Sequence, residues 1–157
     1  MHNQVFVSYS RQDENFVRKM LIPNLKDEHG NDEFQLWFDR DQLRAGDDWK
    51  LMIDDALKLS FAVIVVLSPA ACKSPYVTYE WSYGLGLGLS AIPIIWREVE
   101  TDQIHPRLAQ YQWFDASRLE DIWPALRTLL RDKQAKFQSA GANEATLRLM
   151  EIGRAHV

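Results

Sequence analysis

A chain of 157 residues has room for one domain with a sizeable core, and 46% hydrophobic with 25% charged residues is a globular balance. A net charge of −4 with no basic block leaves no electrostatic footprint for nucleic acid, and a single cysteine, Cys72, excludes an intramolecular disulfide. No apolar run reaches membrane-span length, no Cys/His cluster has zinc-site spacing, and the polar start MHNQ leads straight into a strand; these features predict a cytoplasmic protein.

The first element is a short buried strand, Val5-Phe6-Val7, running into Ser8-Tyr9-Ser10. Gln12-Asp13 then leads into a helix with Phe16, Val17, Met20, Leu21 and Leu25 on one stripe, and Asp13 suits its N-cap. Pro23 falls inside that pattern and predicts a kink or an end near Ile22. Turn residues at 29–32 precede a second strand over 34–38. A charged loop follows, 39–48, with Gly46 near its end. Asp47 or Asp48 can cap the next helix, whose apolar stripe is Trp49, Met52, Ile53, Ala56 and Leu57.

The stretch 61–88 reads FAVIVVLSPAACKSPYVTYEWSYGLGLG. Its β-branched run, 61–67, stops at Ser68-Pro69 and has the composition of a strand buried on both faces, hence of a parallel sheet covered by helices. Ser74-Pro75 opens a helix, since serine suits the N-cap and proline the first helical position. Val77, Trp81, Gly84, Leu85 and Gly88 form its packing stripe, and the glycines suit close approach to the sheet. Tyr76, Glu80 and Tyr83 fall on a neighbouring stripe. One carboxylate thus stands about a turn into a helix, flanked by aromatic rings, just past the carboxyl end of a buried strand. Open α/β sheets bind ligands at that edge.

A fourth strand is expected over 91–96, an irregular segment over 97–106, and a weaker fifth strand over 111–114. A last helix is expected from Ser117, with Leu119, Ile122, Trp123, Leu126 and Leu130 inward and Pro124 in its first two turns. Strands alternating with helices predict an α/β fold: one doubly wound, flavodoxin-like parallel sheet of five strands with helices on both faces. The domain is expected to span 1–136. The pattern then loosens into a linker or tail over 137–157 containing Gly141. Its last seven residues, EIGRAHV, are what a sequencing adapter encodes when translated, which predicts a truncated end with a regulatory domain missing beyond it.

With the strands in place, the motifs resemble the Toll/interleukin receptor (TIR) domain family. Val5-Phe6-Val7-Ser8-Tyr9-Ser10 resembles its first box. Trp37-Phe38-Asp39 with Leu43, Ala45 and Gly46 resembles the second strand's end and the family's BB loop. Leu67-Ser68-Pro69 followed by Ser74, Tyr76 and Glu80 resembles the third segment, and Ile92-Pro93-Ile94-Ile95 the fourth strand. The resemblance covers 5–131. It implies NAD+ glycohydrolase activity, with NAD+ as substrate, no separate cofactor and Glu80 as the catalytic residue. It also implies TIR–TIR self-association through the loop holding Asp39, Leu43, Ala45 and Gly46, and a role as the effector of a bacterial defence or signalling protein. The alternative is a non-catalytic module for homotypic assembly. A phosphate-accepting receiver domain of similar fold is excluded, because it needs an aspartate ending the third strand, where Leu67-Ser68 stands.

One glutamate suffices for that chemistry. Hydrolysis of an ordinary glycoside needs two carboxyl groups because the departing oxygen must be protonated. Nicotinamide leaves NAD+ neutral from a cationic pyridinium, so what remains is stabilisation of an oxocarbenium-like ribose by one preorganised carboxylate. Tyr76 and Tyr83 are expected to wall the pocket, and Trp37 is a candidate for stacking on a ring, as is Trp49, with core packing as the other role. Ser8, Ser10 and Arg11 either meet the pyrophosphate with donors and a guanidinium or merely satisfy the turn after the first strand.

Overall fold

The strand Ser60–Leu67 carries no charge, and all eight of its residues are buried. It forms the centre of the sheet, since a strand covered on both faces has no side on which a polar residue meets water. The computed structural model describes residues 3–38, 48–118 and 121–155, without the side chains of 142–147 and 151–155. Within them β1 (Gln4–Ser8), β2 (Gln35–Trp37), β3 (Ser60–Leu67), β4 (Ser90–Ile95) and β5 (Phe114–Asp115) form one sheet in the order β2-β1-β3-β4-β5. Every pairing is parallel. The chain starts beside the middle, winds to one edge, returns and winds to the other, which is the doubly wound flavodoxin-like order.

The helical elements are α1 (11–24), α2 (Trp49–Lys58), α3 (Pro69–Lys73), α4 (Pro75–Gly86), α5 (Pro106–Ala109) and α6 (Trp123–Ala155). Side chains alternate along each strand and divide the core in two. On one face Val5, Val7, Ile64, Val66 and Ile92 pack under α1 (Val17, Leu21) and α6 (Leu126, Leu130). On the other, Phe6, Val63, Val65 and Ala91 pack under α2 (Ile53, Leu57), α4 (Val77, Trp81) and Leu108 of α5.

Several expectations shift by a few residues, each for a local reason. Pro23 does disturb the first helix, but as a π-turn over Val17–Leu21 before the helix ends at Asn24. Proline has no N–H to give and its ring crowds the carbonyl four residues back, so the ladder widens there. The fifth strand is Phe114–Asp115, not 111–114. The last helix begins at Trp123, whose N–H donates to Asp121 Oδ1 at 3.1 Å, and not at Ser117. Pro124 is thereby its second residue, where a missing N–H costs nothing.

Of the three glycines in 84–88 only Gly84 approaches the sheet: a Cβ there would lie 2.8 Å from Val63 Cγ2, whereas Gly86 has open space. Gly88, at φ +83°, ends α4 with a Schellman pair of bonds, Leu89 N–H to Gly84 O and Gly88 N–H to Leu85 O. The segment after 136, expected as linker, continues as helix to Ala155. Its Ala, Leu, Glu, Arg and Met residues extend an existing helix at low cost, since nucleation is already done. Phe137 still packs on the core, whereas Leu149 is 70% exposed.

Candidate active site

α4 begins where the sequence indicates: Ser74 caps it by accepting the Val77 N–H at 3.3 Å, and Pro75 takes the first position. Glu80 then falls on the inward side of the helix, over the end of β1. It is 0% exposed. The Ser8 hydroxyl, equally buried, donates to Glu80 Oε1 at 3.4 Å, a long bond for these groups. A carboxylate so enclosed is expensive to hold, so its placement beside the carboxyl ends of the central strands is not incidental surface chemistry.

Beside it opens a cleft of about 570 Å³ lined by Ser10, Arg11, Gln12, Trp49, Ile53, Ser74 and Tyr76. Ser10 caps the turn Arg11–Asp13 through Gln12 N–H, which leaves Arg11 exposed on the wall. Among the described residues no carboxylate pairs with Arg11. Tyr76 is 50% exposed and meets Trp49 edge-on, with ring centroids 4.8 Å apart. The exposed guanidinium on this wall favours an anion, whereas the first turn of α4 has few donors to add, since Pro75 has no N–H and the Val77 N–H is taken by Ser74 Oγ. Glu80 lies one turn along α4 from Tyr76 but is not part of the cleft lining.

The structure thus brings Ser10, Arg11 and Tyr76 together and holds Ser8 against Glu80. It separates two expected residues from them. Trp37 stacks on Phe6 (4.6 Å, 17°) and packs on the core, and Trp49 takes the place beside the cleft. Tyr83 does not wall the cleft either. It stacks on Tyr79 at 5.9 Å, two helical turns from Tyr76, because a seven-residue step returns to the same helix face about 10 Å further on. Asp39, Leu43, Ala45 and Gly46 lie outside the described residues.

Asp13, expected as an N-cap, makes no capping bond. It is buried and accepts from Ser68 Oγ at 2.5 Å and Trp96 Nε1 at 3.0 Å. Sequence alone has no signal for this, since the partners lie 55 and 83 residues away. Cys72 lines a smaller cavity of about 260 Å³ between α3, α4 and α5, and burial, reinforced by the Asp13 charge, pushes its thiol up from its ordinary value. It is therefore a poor nucleophile at neutral pH. Among the described residues no group of His, Cys, Asp and Glu could hold a metal ion, and no helix is long and apolar enough to cross a membrane.

The TIR domain family profile matches residues 5–130. A curated relative, the 2' cyclic ADP-D-ribose synthase BtTIR of Bacteroides thetaiotaomicron, is 26% identical over 132 residues, covering 79% of this chain and 45% of its own length. The chain therefore spans under half of that relative. The TIR domain of the Toll-related receptor TRR-2 from Hydra magnipapillata superposes with TM-score 0.65 at 25% identity, covering 83% of this chain and 97% of that one. A metazoan TIR-STING receptor from C. gigas, solved with 2',3'-cGAMP, superposes with TM-score 0.54 at 22% identity, covering 71% and 34%.

Proposed function

This chain belongs to the TIR domain family, and on that premise we propose that it cleaves NAD+ at the bond between nicotinamide and ribose. The observation that carries the reading is Glu80: a fully enclosed carboxylate touching Ser8 at the carboxyl edge of the sheet, one helical turn from a cleft that holds an exposed guanidinium and two aromatic rings. In the reaction the C1'–N1 bond breaks and its electron pair leaves with the neutral nicotinamide. The carboxylate stabilises the cationic ribose that remains. Water then captures C1' to give ADP-ribose and a proton, or a hydroxyl of the same molecule captures it to give a cyclic product. Arg11 takes the pyrophosphate, and Trp49 with Tyr76 offers ring faces to the flat end of the substrate. The relative BtTIR, a cyclic ADP-ribose synthase by name, supports the substrate class and keeps both fates of the ribose in view.

Because Glu80 is enclosed, the cleft must deepen by one helical turn before substrate meets it. Self-association through the loop between β2 and α2 is the event we assign to that opening. The same enclosure favours a second reading, a TIR module that binds other TIR domains and uses Glu80 only to hold α4 against β1. One assay separates them: incubation with NAD+ at high protein concentration, with nicotinamide release followed and ADP-ribose resolved from cyclic products. Nicotinamide at the level of a protein-free control would remove the enzymatic reading.

A further inference from the structure

We propose that Asp13 is a positioning residue for the cleft, its buried carboxylate clamping the turn that carries Arg11 and Gln12 onto the carboxyl ends of β3 and β4. Asp13 is 1% exposed. Its two oxygens accept from two other crossovers: Oδ2 from the Ser68 hydroxyl just after β3, at 2.5 Å, and Oδ1 from the Trp96 indole just after β4, at 3.0 Å. Its own N–H donates to Ser10 O at 2.8 Å, which closes the turn.

Each partner is itself held. Ser68 Oγ accepts the Ala71 N–H and so starts α3, and Trp96 lies stacked on Phe16 (4.9 Å, 9°) with the Arg97 guanidinium 4.4 Å from its ring centroid. The two donors come from different strand ends and each takes its own carboxylate oxygen, which explains an acid at this buried place better than a helix cap does. Arg11 stands two residues before Asp13 in the same single turn. Whatever fixes Asp13 therefore fixes where the guanidinium's backbone sits on the cleft wall, and binding groups lose most of their effect when displaced by about 1 Å. Nothing in the chemistry requires Asp13 to touch substrate. It acts through Arg11.

The inference rests on the proposed site but fails or survives separately from NAD+ cleavage. Asp13→Asn keeps the size and halves the acceptor capacity, and Trp96→Phe, which keeps the stack on Phe16, removes one donor should the first variant fold poorly. The expected result is a KM for NAD+, and a Kd for ADP-ribose by calorimetry, raised about tenfold with kcat changed less than about threefold. In an Arg11→Ala background the same substitution should then add less than about twofold, the signature of two residues acting as one unit. Amide hydrogen exchange over 10–13 should be faster in both variants, whether or not NAD+ is cleaved. A protein that binds ADP-ribose without cleaving NAD+ would sink the enzymatic reading and leave this one standing. Unchanged exchange over 10–13, full multiplicative effects with Arg11→Ala, unchanged KM and Kd beside a lowered Tm, or no ADP-ribose binding by the wild type would each overturn it.

Discussion

Glu80→Gln removes a charge and keeps the shape, so it isolates the electrostatic contribution of the carboxylate. Nicotinamide release should fall by at least a hundredfold, about 3 kcal/mol of barrier, as for other single preorganised groups. Circular dichroism and thermal melting should show the fold retained; near-wild-type turnover in the variant would mean that Glu80 only braces α4. Tyr79 provides a second residue-scale test, read on stability rather than on turnover. Its hydroxyl donates to Asp54 Oδ1 at 2.6 Å, and that bond, with burial and the neighbouring charge, pushes its pKa from 10.0 up to about 12. A raised pKa means that the unfolded chain ionises first as pH rises, so the bond's contribution is complete below pH 10 and is lost through about pH 12. Denaturant melts at pH 9 and pH 12 should show Tyr79→Phe narrowing the alkaline loss seen in the wild type. A difference between the two proteins that stays constant with pH would contradict it.

At the scale of the element, α4 matters most because it carries the cap at Ser74, the ring of Tyr76 and the carboxylate of Glu80. Its height above the sheet is set at Gly84. A Cβ there meets Val63 Cγ2 at 2.8 Å on β3, so Gly84→Val must lift the helix or push the strand, at a cost of roughly 1–3 kcal/mol. Glu80 is one turn away and should move with it, so activity should fall together with Tm. Gly86, two residues on, meets nothing within 4 Å, and Gly86→Ala should stabilise by up to about 1 kcal/mol through the unfolded chain and helix propensity. Equal shifts of the same sign at the two sites, read by thermal melting, would mean that close packing is not what selects glycine in this helix.

For the whole molecule, the enclosure of Glu80 turns the proposed activity into a question of assembly. Turnover per chain should rise with protein concentration, and light scattering should show the larger species over the same range. Full turnover by a monomer, independent of concentration, would require the site to open within one chain. The far half of α6 is predicted to be dispensable to the fold. The helix is tied to the body by Arg127 donating to Asn24 O (2.7 Å), by Arg131 on Glu33 and by Gln134 on Asn3, and Phe137 packs on the core. Deleting 141–157 should shift Tm by no more than about 2 °C, whereas Phe137→Ala should cost roughly 2 kcal/mol. A drop of many degrees on truncation would show that the turns beyond 140 contribute to the fold after all.

The chain's own pattern determined the order of strands and helices, the buried central strand and the cap-and-proline start of α4. These are local: β-branched runs, a serine before a proline and 3.6-residue spacing act within a few residues of one another. The family resemblance singled out Glu80 by the same local spelling; of the residues named with it, Ser10, Arg11 and Tyr76 line one cleft, and Glu80 lies a helical turn from it. What only the tertiary structure decided depends on contacts across tens of residues. It moved Trp37 into a stack on Phe6 and put Trp49 at the cleft, because two aromatic residues flanking one loop are equivalent until the strands pair. It sent Tyr83 along α4 to Tyr79, it carried the helix through the stretch after 136, and it turned Asp13 from a helix cap into a clamp on Ser68 and Trp96. A carboxylate finds its partners through the sheet order β2-β1-β3-β4-β5, which brings the ends of three strands together. No run of neighbouring residues encodes that meeting, and burial of the core is what enforces it.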